Sequence, residues 1–87
     1  MAHNLVKIGK KWGQRIFVEW RDAILDDEWI STISALNSDK DQICYTSAFY
    51  IGEDNHNLVV AMTIGKTEED EVAGVWKIPK GCIIRWR

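Results

Sequence analysis

The sequence predicts a mainly β fold with a minor α component: a small, strongly bent antiparallel β-barrel carrying one short helix. Three observations lead there. The segment "RIFVEWRDA" alternates residue by residue with the period of a strand. Two β-rich runs, "QICYTSAFYI" and "LVVAMTI", flank the turn chemistry of "GEDNHN". The chain's only proline lies in "PKG", between the short apolar runs "VAGVWKI" and "CIIRWR".

In chain order, the first strand places Ile16, Val18 and Trp20 on one face and Arg15, Phe17, Glu19 and Arg21 on the other. In "LDDEWISTISALNSD", Trp29, Ile33 and Leu36 recur at spacings of four and three, which predicts one apolar face of a short helix. Asp26 or Asp27 would cap it, Glu28 suits its positive end and "NSD" closes it. The β-branched Ile30, Thr32 and Ile33 pull the same stretch towards a strand. A long hairpin follows, then "GKTEEDE" as a loop, then two brief strands around the corner at Pro79, Lys80 and Gly81. "NLVKIG" is a candidate extra strand near the start.

At 87 residues the chain is one domain, 1–87, with residues 1–13 either an extra strand or a flexible arm. Its 46% hydrophobic and 28% charged residues are those of a globular protein. A domain this short buries a thin core, so a homo-oligomer is expected. No signal-peptide pattern and no membrane-length apolar run is present, which predicts a cytoplasmic protein with no membrane partner. Cys44 and Cys82 then read as reduced, small core residues, with a disulfide between them left open.

The net charge of −2 argues against a duplex-binding protein. Basic residues nevertheless gather at both ends: Lys7, Lys10, Lys11 and Arg15, then Lys77, Lys80, Arg85 and Arg87. The acids of "LDDE" and "TEEDE" read as solvated loops. Glu53, Asp54 and His56 read as a turn rather than a cation site, and no metal or cofactor is expected. Ser47 lacks an elbow motif, Cys82 reads as a small residue opening a strand, and no glycine pattern forms a phosphate loop. The chain is therefore not expected to be an enzyme.

The remaining signal is basic and aromatic. Of the five tryptophans, Trp20 and Trp29 are expected in the core, with Trp76 and Trp86 facing inward as well. Trp12, set in "GKKWGQR", is expected at the surface or an interface. If the first and last strands lie together, the basic residues of both ends converge. Aromatic faces stack bases and Lys or Arg meet phosphates, so the candidate ligand-binding residues are Trp12 and Tyr50 for stacking and Arg15, Lys80 and Arg85 for phosphate.

The element order is the plan of Sm-like barrels. The chain also resembles a group of short phage-encoded and prophage-encoded proteins, through "VEWRDA" with a tryptophan soon after, the serine–aromatic strand, "LVVAMTIG" and "IPKGCI". That likeness covers most of the chain after about residue 15. It implies an anti-defence protein, and in some such proteins an oligomeric sponge for cyclic-nucleotide immune signals. A protein–protein inhibitor of a host defence protein and a single-stranded nucleic-acid binder are the alternatives.

Overall fold

The computed structural model describes residues 6–22, 29–37, 42–65 and 69–87. Five strands, β1 (Arg15–Asp22), β2 (Gln42–Glu53), β3 (Asn57–Ile64), β4 (Val72–Pro79) and β5 (Ile83–Trp86), form one sheet. Their order is β4-β3-β2-β1-β5 and every pairing is antiparallel. A short helix, α1 (Thr32–Leu36), lies in the connection from β1 to β2, and a 3-10 turn (Lys80–Cys82) joins β4 to β5.

Alternation built this sheet. Ile16, Val18 and Trp20 of β1 are buried, and the register sets Ile16 opposite the buried Ala48. Leu58 and Val60 of β3 are fully buried, Leu58 paired with the equally buried Ile78 of β4. The β2–β3 hairpin closes as its sequence predicts. The Asp54 carboxylate accepts from the backbone N–H groups of His56 at 2.8 Å and Asn57 at 2.7 Å, which holds its pKa below the usual carboxylate value.

The sheet bends hard but stays open. Two strands separate β1 from β4, a distance of roughly 14 Å in a flat sheet. Yet Trp20 of β1 and Trp76 of β4 meet edge to face, with ring centroids 5.8 Å apart. The outer strands β4 and β5 are not paired with each other, so the sheet is not closed. Gly74 marks a kink in β4: its φ is +68°, and a Cβ placed there would lie 2.9 Å from Met62 Cβ. Gly74→Ala is therefore expected to cost about 1–3 kcal/mol, from the backbone conformation and the clash together. A thermal melt unchanged from the parent would contradict this.

The expected helix is shorter than its pattern. It begins at Thr32 behind an N-cap, Ser31, whose hydroxyl accepts from the Ser34 N–H at 3.1 Å. Asn37 is its C-cap. The other predicted end signals, Asp26, Asp27, Glu28, Ser38 and Asp39, lie outside the described residues, as do His3, Glu68 and the first residues of "NLVKIG". Trp29 is not a core residue: it precedes the helix and is fully exposed, and Ile33 and Leu36 are exposed with it. The interior is already filled from the sheet, by Ile16, Leu58, Val60 and Ile78 among others, so it holds no place for the stripe.

Trp76 is half exposed on β4, which is an edge strand, while Trp86 packs against the core. Cys44 and Cys82, both partly buried against that core, are free. Residues 6–14 form no strand, but they are tied down. Ile8 is buried in the core, and the chain enters β1 through a turn in which Gly13 (φ +83°) donates to the Tyr50 carbonyl at 2.7 Å.

Candidate functional site

The proposed closeness of the chain ends is present in one pairing: β5 lies beside β1. Lys77 is not part of it, since it lies on β4 at the opposite edge of the sheet. The sheet order puts the five candidate residues in different places.

Tyr50 and Lys80 belong to the interior. Lys80 Nζ donates to Glu53 Oε1 at 2.6 Å and to the Val6 carbonyl at 2.8 Å, and its side chain is nearly buried. Tyr50 is buried and its hydroxyl donates to Glu53 Oε2 at 2.8 Å. Burial, then the hydrogen bond to Glu53, pushes the phenol up to about 12. Burial alone would raise the Glu53 carboxyl, but donation by Lys80, by the Ile8 and Gly9 N–H groups and by Tyr50 outweighs it and brings the value to about 2. Neither residue is left to a ligand: Tyr50 has no free ring face for a base, and the Lys80 charge is neutralised inside. Both expectations are corrected by the same carboxylate.

Arg15 and Arg85 are on the outer face of the sheet. Alternation along β1 turns Arg15, Phe17 and Glu19 away from the core, and β1 pairing with β2 and β5 builds rows of side chains across the strands. One row is Tyr45–Glu19–Arg85. The next, about 7 Å along, is Ser47–Phe17–Arg87, closed by reciprocal backbone bonds between Phe17 and Arg87 at 2.9 and 3.0 Å. Beyond it Phe49 pairs with Arg15. Trp12, half exposed, sits in the turn that leads into β1 and lines none of the groove described next.

Between the first two rows lies a groove of about 420 Å³, lined by Phe17, Glu19, Tyr45, Ser47, Arg85 and Arg87, with Val18, Thr46 and Trp86 between them. Its electrostatics are graded. The Arg87 guanidinium lies 5.1 Å from the centroid of the Phe17 ring, and that of Arg15 lies 5.2 Å from the Phe49 ring, so both phenyl groups already carry a cation. Tyr45, at 78% exposure, offers an uncovered ring. Arg85 donates through Nε to Glu19 Oε1 at 2.7 Å, and a guanidinium held at Nε keeps its terminal amino donors for a second acceptor.

This arrangement can hold a flat, anionic molecule: a ring stacks on Tyr45 while its anionic end meets Arg85 and Arg87. Phe17, Glu19, Tyr45 and Arg87 were missed as site residues. The period-two alternation already placed Phe17 and Glu19 beside Arg15, and the same reading of "CYTSAFY" groups Tyr45, Ser47 and Phe49. What it lacked was the register, which sets Arg85 opposite Glu19 and brings Arg87 beside Phe17.

A second hollow, of about 340 Å³, is bounded by Arg21, Asp22 and the residues from Gly81 to Ile84. Among the described residues no group of three or more His, Cys, Asp or Glu side chains could hold a metal ion, and no helix is long and apolar enough to cross a membrane. Neither family models, nor curated proteins, nor solved structures match this chain.

Proposed function

We propose that this chain is a non-enzymatic binding module that sequesters a small nucleotide signal on the outer face of its sheet. The observation that carries the reading is the row Tyr45–Glu19–Arg85, where an uncovered aromatic ring and an anchored guanidinium share one groove with Arg87 beside them. The strong bend of the sheet and the order of its strands support an Sm-like barrel. The phage-type, anti-defence role in the host cytoplasm, with the protein acting as an oligomeric sponge, rests on the resemblance in "VEWRDA", "LVVAMTIG" and "IPKGCI".

The test is calorimetry and thermal shift against a panel of mononucleotides, cyclic dinucleotides and cyclic trinucleotides. At least one should bind and raise the melting temperature. Tyr45→Ala should then weaken it by about 5- to 150-fold, the range that stacking of one base supplies, and Arg85→Ala should weaken it comparably. Both side chains are exposed, so these variants stay folded. A folded parent that binds no member of the panel, or binding indifferent to both substitutions, overturns the reading.

A single-stranded nucleic acid is the second reading. The third row, Phe49 under Arg15, favours it by lengthening the platform along β1 and β2. Affinity that falls steeply with salt and grows with oligonucleotide length would select it over the small ligand.

A further inference from the structure

The outer-face groove holds a carboxylate that a plain anion site does not need. Glu19 stands on β1 at the middle of its row, with Tyr45 of β2 on one side and Arg85 of β5 on the other. Its side chain is 18% exposed against 76% for that of Arg85, so the acid lies on the floor and the arginine rises from it. Among the described residues one donor reaches this carboxylate, Arg85 Nε on Oε1 at 2.7 Å, and Oε2 receives none. An ionised carboxylate offers about four lone-pair sites and can only accept. A phosphate laid on this floor would meet like charge. The further partner that suits Glu19 is therefore a donor, and a neutral one, since Arg85 and Arg87 in the same groove repel cations.

We infer, resting on the nucleotide reading of this groove, that it selects guanine and that Glu19 is the residue that reads the base. Strand spacing sets the Tyr45 and Arg85 backbones about 10 Å apart, which admits one flat ring between the two side chains. A base stacked on Tyr45 with its edge turned to the floor brings that edge to Glu19. Guanine presents two adjacent donors there, N1–H and the 2-amino group, spaced like the two oxygens of a carboxylate. Adenine and cytosine each set a bare ring nitrogen beside the amino group, and uracil flanks its one N–H with two carbonyls. Each of these turns an acceptor towards the Glu19 charge. With the base edge down, sugar and phosphate point outward, to the terminal amino groups of Arg85 and to Arg87.

The experiment is calorimetry of the full chain, at one fixed salt concentration, with ligands that differ only in base: GMP against IMP, AMP, CMP and UMP, and cyclic di-GMP against cyclic di-AMP. The guanine member of each set should bind about 5- to 150-fold tighter than the adenine member, the discrimination that one bidentate base contact supplies. IMP, which lacks the 2-amino donor, should fall between GMP and AMP. Glu19→Gln is isosteric and keeps an acceptor for Arg85, but it offers one donor with one acceptor, the complement of adenine. It should abolish or reverse the guanine preference. Arg85→Ala should weaken every ligand by a similar factor and keep the preference. If Glu19→Gln loses affinity for all bases alike and keeps the preference, Glu19 only positions Arg85 and the inference is overturned. A parent that binds adenine ligands as tightly as guanine ones overturns it too, and leaves the nucleotide reading standing. A folded parent that binds no nucleotide overturns both.

Discussion

Replacement of Glu53 by alanine is expected to remove about 3 kcal/mol of stability, a large part of what a domain this small possesses. One carboxylate, at the end of β2, receives Lys80 from the 3-10 turn, Tyr50 from the same strand and the backbone N–H groups of Ile8 and Gly9. It therefore ties three parts of the chain together. Removing it leaves a nearly buried ammonium without its counter-charge, and releases the segment that carries Ile8 into the core. Lys80→Met should cost less, since the carboxylate keeps three of its donors. The pair Glu53→Leu with Lys80→Met should recover part of the loss, because no uncompensated charge stays inside.

The same site gives a pH signature with a definite sign. The folded Glu53 carboxyl titrates at about 2 against an ordinary 4.5, so its contribution is complete above 4.5 and disappears as pH falls towards 2. Denaturant titrations at pH 7 and pH 2.5 should show the gap between the parent and Glu53→Gln shrinking with acid. A gap of constant size would refute the assignment. On the alkaline side the Tyr50 phenol, ordinarily near 10 and here about 12, gives stability that is present below pH 10 and lost as pH rises through 12.

The second large effect belongs to Trp20. Trp20→Ala should cost about 3–5 kcal/mol and leave much of the population unfolded. The ring is buried at the inner turn of the bend, edge to face with Trp76, and its indole N–H donates to the Thr46 hydroxyl at 2.9 Å. Trp20→Phe keeps most of the apolar volume but strands the Thr46 hydroxyl, so a loss of about 1–2 kcal/mol is expected. Trp76→Ala should cost less than Trp20→Ala, because Trp76 lies half in solvent on the edge strand. Equal losses at the two positions would mean that β4 is covered in solution, and denaturant unfolding of the three variants decides it.

The first strand was legible in its sequence because one face of it is buried and the other is not. Ile16, Val18 and Trp20 face inward as their alternation requires, and Arg15, Phe17 and Glu19 face outward. The hairpin was legible for a different reason, since the Asp54 turn is a local structure made by residues next to one another. Trp29 was misread because helical spacing says which side chains share a face, not whether that face has anything to cover it. Tyr50 and Lys80 were misread because aromatic and basic residues serve equally as ligand groups and as partners of a buried acid. Glu53 is 27 residues from Lys80 and 44 to 45 from the backbone groups it accepts from, so no local pattern announced it.

By itself, then, the sequence determined the strands, the inward face of β1 and the corners between strands, because these follow from interactions among neighbours and from period-two alternation. It did not determine the face of β5, where a register shift against β1 leaves Ile84 exposed and Ile83 packed against the core. Tertiary structure decided the rest. It placed β5 beside β1, so that Arg85 and Arg87 join Phe17, Glu19 and Tyr45 in one groove. It drew Lys80 and Tyr50 inward onto Glu53, and it left Trp29 outside. Each of these outcomes depends on contacts between residues far apart in the chain. Their energies are settled only when the whole sheet has bent and filled its interior.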